Sequence, residues 1–262
     1  MHGRVEIGTW IYALIRAALQ GDSAEMPKHS IYDRTTNRED EGAPPRILHE
    51  AISKRHSTRL FLPKPLPDED LRAALQAAAL APSEYNAQKW KTYVVTGDAL
   101  DRLKAGLKAA ALAGPPASEA DLAPCLRESR SVLGKVVYGL GWKIPRGDLA
   151  ARQEAAMRNY DFFGAPVGII LCVHNRQPGV EALSIGMYLQ TLVLALTDHG
   201  IASCVQVAIA EYPEAVRAPL GIPEELDILV GVSVDYEDPE AHVNSLKVGR
   251  LPLEETTVFV ND

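Results

Sequence analysis

The chain has 262 residues, of which 47% are hydrophobic and 23% are charged, and this composition predicts one globular domain with a sizeable core. Its formal net charge of −7 argues against nucleic acid as a partner, because neutralising several phosphates requires a large basic face. Three cysteines without CxxC spacing indicate neither a disulfide framework nor a zinc site, and they suit a reducing cytoplasm. The sequence has no apolar run of about 18 residues and no secretory signal, so we expect a cytoplasmic protein without a membrane span.

Residues 1–46 are expected to form an N-terminal extension before the main domain at residues 47–262. Within it, residues 10–19 carry apolar side chains at helical spacing, which predicts a helix that packs against the domain or a partner subunit. A membrane-surface helix is the less favoured alternative, since Arg16 is the only basic residue of this segment. Residues 29–45 are polar and charged, which predicts an extended linker.

A basic cluster follows a short helix that we predict over residues 47–54. Basic side chains surround two hydroxyls in this cluster, which consists of Lys54, Arg55, His56, Ser57, Thr58 and Arg59. Guanidinium groups clamp phosphate oxygens bidentately, and hydroxyls or backbone amides complete the shell. The cluster therefore predicts a phosphate site, while a solvated basic turn is the alternative that its composition alone leaves open.

The chain after the cluster predicts a helix, a loop and a strand in close succession. Pro67 and the three carboxylates that follow it mark a helix start, because the helix dipole favours negative charge in the first turn. We expect this helix to end at Ala81 and Pro82, and a polar, aromatic loop to occupy residues 84–90. An apolar strand is predicted over residues 92–95.

Two motifs in this stretch resemble the FMN-dependent nitroreductase family: R-H-S-T-R at residues 55–59 and A-P-S-x-x-N-x-Q-x-W at residues 81–90. Later segments look most like its nitrobenzoate-reductase-like branch. The resemblance implies that the first motif holds the phosphate and ribityl chain of FMN, through Arg55, His56, Ser57 and Arg59. It also implies that the second motif reaches the flavin from the partner subunit, through Pro82, Ser83, Asn86 and Gln88. Lys89 stands where the family usually has proline, so this loop is expected to be less rigid.

A helix predicted over residues 98–111 leads into a variable region at about residues 113–160. Asp148 is a candidate N-cap for the helix that follows it. The resemblance implies that the variable region is a lid-like excursion over the catalytic face of the flavin. Tyr138 and Trp142 are expected either to form a wall of the substrate pocket or to lie in the core, and both interpretations remain open.

Two long apolar segments dominate the second half of the domain. A continuous apolar run at residues 167–173 predicts a central strand, preceded by a core residue at Phe162. Residues 181–199 predict a helix that is apolar nearly all round. We expect this helix to be buried on every side, spanning the core and a subunit interface.

The strand expected within residues 200–208 resembles the family's segment under the flavin ring. The resemblance implies that backbone groups near Val207 and Ala208 face the ring. A helix at residues 212–220 and a strand at residues 228–234 are predicted to follow.

The closing motif N-x-L-K-x-x-R-x-P-L at residues 244–253 resembles the family's last flavin contact, where cations reach the phosphate and the pyrimidine side of the ring. We therefore expect Lys247 and Arg250 to contact the flavin. The alternative is that both are exposed charges of the tail. A terminal strand is predicted over residues 256–260.

The motifs of several other enzyme classes are absent from the sequence. No Gly-x-Ser-x-Gly elbow occurs, and His56 and Ser57 are direct neighbours, an arrangement that rarely pairs a base with a nucleophile. No H-E-x-x-H or comparable spacing occurs, so we expect no metal site. No G-x-G-x-x-G follows a strand, so a nicotinamide nucleotide is expected to bind transiently over the flavin.

The fold implied by the resemblance is α+β: a three-layer α-β-α sandwich whose mixed or antiparallel sheet has about four or five strands. Each FMN would lie at the interface of an intertwined homodimer. The implied reaction is ping-pong transfer from NADPH or NADH to an electron-poor small molecule, such as a nitroaromatic compound or a quinone. We assign no catalytic side chain, because water can supply the protons. A flavin-dependent dehydrogenase or oxidase of a small metabolite and a flavin-binding interaction module remain alternatives.

Overall fold

The computed structural model describes residues 47–114, 124–174, 178–246 and 248–261. The helix and the linker predicted for the N-terminal extension, and also Lys247, lie outside the described residues.

Eight α-helices and four strands occur within these ranges. The helices are α1 (Ile47–Lys54), α2 (Asp68–Ala78), α3 (Gly97–Ala113), α4 (Pro124–Gly134), α5 (Leu149–Met157), α6 (Pro178–Asp198), α7 (Pro213–Leu220) and α8 (Leu253–Thr256). The strands are β1 (Trp90–Thr96), β2 (Val167–His174), β3 (Ala202–Gln206) and β4 (Leu226–Asp235). A π-helical segment, Lys135–Gly141, extends α4, and short 3₁₀ turns occupy Glu84–Asn86, Arg158–Gly164 and Val207–Glu211.

The four strands form one antiparallel sheet in the order β1-β2-β4-β3. β2 lies inside this sheet, where Val167 pairs with Thr96 of β1 on one side and with Val234 of β4 on the other. An inner strand with helices on both faces needs apolar side chains in both directions. This requirement explains why seven of the eight β2 residues are buried and why the apolar run in the sequence is continuous.

Helices cover both faces of the sheet and create two separate cores. Ile169 and Leu171 of β2 pack in one core with the buried faces of α2 and α6. Ile170 and Cys172 point the opposite way and pack in the other core with α3 and α7, as the twofold period of a strand requires. The result is the three-layer α-β-α sandwich that the sequence predicted, with a wholly antiparallel sheet.

Within the described residues, the helices predicted from residue 47 onward and the four strands of the sheet all occur, and their ends lie within a few residues of the predicted positions. The prediction that α6 spans the core and a subunit interface is confirmed for the core. Leu192 and Leu196 are fully buried against the sheet, whereas Leu183 is 67% exposed in the single chain, and its burial at an interface stays a prediction. In the described part of the chain, no helix combines the length and the apolar character needed to cross a membrane.

The terminal strand predicted over residues 256–260 is wrong. Leu253–Thr256 forms the short helix α8, and the residues after it pair with no strand among the described residues. Val258 and Phe259 are 84% and 73% exposed. An alternating apolar segment becomes a strand only where it pairs with a sheet edge, and neither edge strand, β1 or β3, pairs with the tail in the described part of the chain.

The excursion between α3 and β2 is secured where it returns to the sheet. Lys104 Nζ donates a hydrogen bond of 2.9 Å to the Ala165 carbonyl. Lys108 Nζ lies 2.5 Å from Asp161 Oδ1. Because the excursion leaves from the C-terminus of α3 and both lysines belong to α3, its start and its return lie against the same helix.

Local geometry within the excursion agrees with two sequence predictions. Asp148 caps α5, because its carboxylate accepts a hydrogen bond of 3.0 Å from the Ala151 amide. Phe162 is fully buried, as predicted for a core residue. Both Phe162 and Phe163 have a left-handed φ, of 51° and 53°, which is unfavourable outside glycine and persists only where surrounding packing imposes it.

A buried carboxyl group ends β4. Asp235 has 0% exposure, and neither carboxylate oxygen has a hydrogen-bonding partner of standard geometry among the described residues. Burial raises the pKa of this carboxyl, and the opposing influence of the Tyr236 amide and the Lys64 ammonium does not cancel the effect. The folded state therefore binds this proton more tightly than the unfolded chain does. Stability from this group is present at low pH and is lost as the pH rises through the raised pKa.

We predict that Asp235→Asn raises the melting temperature at neutral pH, because it removes a desolvated negative charge. The gain should shrink as the pH is lowered to about 4, near the pKa of an unfolded aspartate, where the wild-type carboxyl is protonated as well. Thermal denaturation at several pH values measures the difference. Asp227→Asn, an exposed position on the same strand, is the matched control. A gain that does not vary with pH, or a loss at neutral pH, would contradict this account of Asp235.

Candidate functional site

The basic cluster lines a cavity of about 950 Å³ together with the segment that closes the domain. We name it the Arg55 cavity. It brings together five of the predicted site residues, which are Arg55, His56, Ser57, Arg59 and Arg250. Gln190 of α6 and Asn244 also line it, although the sequence reading did not select either residue.

The segment after α1 is attached to one end of the sheet. Ser57 forms an isolated parallel bridge with Ser203 of β3, and the Thr58 amide donates a hydrogen bond of 3.0 Å to the Ser203 carbonyl. Further along, the Leu62 amide donates a hydrogen bond of 2.9 Å to the carbonyl of Tyr236, just after β4. The cations of the cluster therefore project from backbone that the sheet holds in place.

Asn244 joins the closing motif to the opening motif. Its Oδ1 accepts a hydrogen bond of 2.8 Å from the Arg59 amide, and its Nδ2 donates to the carbonyls of Leu60 at 2.8 Å and Asp238 at 3.0 Å. The side chain is buried, so its polar atoms need these partners. Asn244 thus determines the position of the Arg59 backbone without presenting its own amide to a ligand.

The basic side chains differ in how much of their hydrogen-bonding capacity the protein already uses. Arg55 is half-buried and forms no ion pair or side-chain hydrogen bond with any residue that the structure describes. Arg59 uses one guanidinium nitrogen, which donates to the Ser57 carbonyl at 3.2 Å. Arg250 donates to the carbonyls of Val248 and Gly249 at 2.8 and 3.1 Å.

His56 is turned towards the protein on both sides of its ring. Nδ1 lies 2.8 Å from the Lys54 carbonyl, and Nε2 lies 3.1 Å from the Glu237 carboxylate. Lys54 itself is paired with Glu50 at 2.6 Å on the surface of α1. The ring of His56 therefore supports the loop, and the unpaired positive charge of the cavity belongs chiefly to the arginines.

The second motif lies apart from the Arg55 cavity within one chain. Ser83 Oγ accepts a hydrogen bond of 2.9 Å from the Gln88 amide, and the Gln88 side chain donates to Asn86 Oδ1 at 3.1 Å. Tyr85, Asn86 and Gln88 have left-handed φ values of 51°, 54° and 48°. Pro82 and the residues after it line neither of the two cavities described in this subsection. The loop is thus shaped by its own hydrogen bonds and exposed on the surface.

The residues expected beneath a flavin ring follow β3 directly. Val207, which is 65% exposed, and Ala208 begin a 3₁₀ turn whose Ile209 packs onto β4 at Gly231. A Cβ atom at Gly231 would lie 2.6 Å from Ile209, so the close approach of this turn to the sheet requires glycine there.

One polar residue near this turn, Gln206, was missed by the sequence reading. Gln206 is buried, donates a hydrogen bond of 2.8 Å to the Asn159 carbonyl and accepts one from the Ser233 hydroxyl. A glutamine at the end of an apolar strand is the signal that could have identified it. Gln206 connects the base of the excursion to the sheet edge that carries Val207.

The structure separates the two aromatic residues considered for a substrate pocket. Tyr138 lines a second cavity, of about 500 Å³, and the Arg152 guanidinium lies 5.0 Å from its ring centroid. Trp142 lines neither cavity and lies under the Arg158 guanidinium at 4.5 Å. No group of three or more histidine, cysteine or carboxylate side chains is placed to hold a metal ion in the described part of the chain.

The nitroreductase family model matches residues 52–236, most of the sandwich and the excursion. The chain belongs to the nitroreductase family. Among its relatives, a 4-nitrobenzoate reductase of Pseudomonas putida is 34% identical over 204 residues, covering 76% of this chain and 89% of that protein. Nitroreductase NfnB of Mycolicibacterium smegmatis is 37% identical over 214 residues, covering 79% of this chain and 90% of that protein.

Solved structures of similar proteins support the same family membership. The FMN-dependent nitroreductase NfnB from Mycobacterium smegmatis, in complex with NADPH, superimposes with a TM-score of 0.77 at 35% identity. The FMN and NADPH-dependent nitroreductase NfnB from Sphigopyxis sp. gives a TM-score of 0.78 at 31% identity. Each comparison covers 82% of this chain and 99% of the other. The resemblance inferred from the two motifs is therefore confirmed, as is the fold that it implied.

Proposed function

We propose that this nitroreductase-family chain is an FMN-dependent oxidoreductase that takes electrons from NAD(P)H and delivers them to electron-poor acceptors, nitroaromatic compounds in particular. The observation that carries the proposal is the Arg55 cavity, where a half-buried guanidinium has no counter-ion among the described residues. The similar solved structures are FMN-dependent nitroreductases, and one of them holds NADPH, which supports both cofactors. The 4-nitrobenzoate reductase among the relatives supports the class of acceptor.

The residues of the Arg55 cavity fit the phosphate of FMN. Arg55 and Arg59 bind phosphate oxygens through charge-assisted hydrogen bonds, and the Ser57 hydroxyl adds a further donor. Asn244 holds the backbone of Arg59 at the required position. His56, held between the Lys54 carbonyl and Glu237, stiffens the same loop. When bound, FMN supplies the chemistry of accepting and donating hydride, and the protein supplies binding, orientation and electrostatics.

Other predicted residues take their roles from the family resemblance. By that resemblance, Lys247 and Arg250 would supply positive charge to the phosphate and the pyrimidine side of the ring, where it would stabilise the negative charge of the reduced form. Val207 and Ala208 offer backbone groups to the ring edge. The excursion that carries Tyr138 and Trp142 shields the face at which reductant and acceptor bind in turn. Acceptor protons come from water, so no side chain serves as acid or base.

The proposed assembly is a homodimer in which each chain completes the other's site. Pro82, Ser83, Asn86 and Gln88 lie on an exposed, preformed loop, which suits a contact made to a second copy. The exposed tail at residues 257–261 carries three large apolar side chains that a second copy would cover, namely Val258, Phe259 and Val260. A cytoplasmic location belongs to the same proposal and rests on the cysteine usage.

We predict that the FMN-loaded protein sediments as a dimer and that deleting residues 257–262 shifts it towards monomer, because the apolar tail loses its partner surface. Analytical ultracentrifugation measures both. Replacing the exposed Leu112 of α3 with serine is the control, since it removes an apolar side chain from a different part of the surface. A stable monomer that retains FMN would contradict the shared site.

We predict that NADPH or NADH bleaches the yellow colour of the purified protein under anaerobic conditions, and that adding 4-nitrobenzoate or nitrobenzene restores it. Initial rates measured while both substrates are varied should give parallel double-reciprocal lines, because one pocket serves reductant and acceptor alternately. Absorbance spectroscopy measures each half-reaction separately. Flavin that stays oxidised with both nucleotides would refute the reductase assignment.

We predict that Arg55→Ala weakens FMN binding by about a hundredfold, because it removes an unpaired guanidinium from the phosphate site. Quenching of FMN fluorescence on titration with apoprotein measures the dissociation constant. Arg72→Ala removes an arginine from the surface pair with Asp68 on α2 and serves as control, with affinity unchanged. Equal affinities of the Arg55→Ala variant and the wild type would show that the phosphate binds elsewhere.

A further inference from the structure

The second cavity is strongly cationic. It lies among α4, the π-helical segment and the start of α5, and has a volume of about 500 Å³. Of its nine lining residues, four carry positive charge and none carries a carboxylate. The charged residues are Arg130, Lys135, Arg146 and Arg152. We name this space the cationic cavity.

Three of the four cations of the cationic cavity have no balancing partner among the side chains that the structure describes. Arg130, Lys135 and Arg146 form no ion pair or side-chain hydrogen bond with the described residues. Arg152 lies over the Tyr138 ring, and Ile144 adds a second apolar wall. Like charges held around one space repel each other, so this arrangement favours a ligand that brings more than one negative charge.

The cationic cavity and the Arg55 cavity share a wall. Leu133 lines the Arg55 cavity, and the next residue of α4, Gly134, lines the cationic cavity. The π-helical segment packs closely on the closing motif, since a Cβ atom at Gly141 would lie 2.7 Å from Leu246, which also lines the Arg55 cavity. A ligand that occupies both spaces must therefore extend around a helix about 10 Å across.

We propose that the cationic cavity binds the adenosine 2′-phosphate end of NADPH and selects NADPH over NADH; this inference rests on the proposed function. A phosphate monoester carries up to two negative charges and three acceptor oxygens, so it can bind several cations at once. A carboxylate carries one charge and is satisfied by a single arginine through two hydrogen bonds, so it fits four cations less well. Tyr138, whose ring carries the Arg152 guanidinium on one face, and Ile144 supply the apolar contacts against which an adenine would pack. A single-ring acceptor bound at the flavin face is too short to extend around α4, whereas a dinucleotide is long enough.

The proposal is tested with the double variant Arg130→Gln/Arg146→Gln in the FMN-loaded protein. The KM for NADPH should rise about tenfold or more, because charge-assisted contacts to the 2′-phosphate are lost. The KM for NADH and the kcat with either nucleotide should stay within about twofold of wild type. Arg72→Gln/Arg102→Gln removes the same net charge from exposed positions on α2 and α3 and should leave both KM values unchanged.

Binding without turnover gives a second readout. Adenosine 2′,5′-bisphosphate should bind the FMN-loaded wild type in isothermal titration calorimetry and bind the Arg130→Gln/Arg146→Gln variant about tenfold or more weakly. Adenosine 5′-diphosphate, which lacks the 2′-phosphate, should bind both proteins equally weakly. If this pattern held while neither NADPH nor NADH reduced the flavin, the reductase function would fail and the nucleotide site would stand.

Three outcomes would overturn the proposal. The first is an equal loss of affinity for NADPH and NADH in the double variant, and the second is no change for either nucleotide. The third is a KM increase for 4-nitrobenzoate but not for nitrobenzene or NADPH, which would assign the cationic cavity to the carboxylate of the acceptor.

Discussion

Hydrogen bonds that hold the segment after α1 against the sheet are the constraint on which the candidate site depends. Ser203 and Tyr236, at the ends of β3 and β4, accept from the amides of Thr58 and Leu62, and Asn244 secures the residues between them. A run of cations without such an attachment would separate into solvent, because exposed like charges gain nothing from proximity. The sheet therefore organises positive charge at one end as well as building the two cores.

Within one chain, the residues of the candidate site lie in two separate places, because each group is held by its own hydrogen bonds. The cations gather in the Arg55 cavity, whereas Ser83, Asn86 and Gln88 are held together on an exposed surface by bonds among themselves. A left-handed backbone conformation at neighbouring non-glycine residues costs free energy. A loop that already adopts this conformation before a ligand binds is therefore preorganised for binding. In the proposed homodimer, the ordering of this loop has already occurred when the flavin binds.

The sequence predicts the elements whose signals are local. The apolar run of β2, the acidic first turn of α2 and the Asp148 cap of α5 each require only neighbouring residues, and each prediction is confirmed. The cluster at Arg55 could be recognised from residue type alone. Asn244 and Gln206 could not be assigned a partner in this way, because their partners are 185 and 47 residues away along the chain. The failed terminal strand has the same cause, since a sequence pattern does not reveal whether a sheet edge is available.

Lys104 and Lys108 of α3 hold the return of the excursion through Ala165 and Asp161, and this attachment has an evolutionary consequence. Because the excursion also starts at the C-terminus of α3, both its ends lie at one helix, and the residues between them are largely decoupled from the register of the sheet. Insertions, deletions and exchanges in this region can accumulate at little expense to the sandwich. Descendants of one ancestral scaffold could thereby diversify in the compounds they accept while their shared framework stays unaltered.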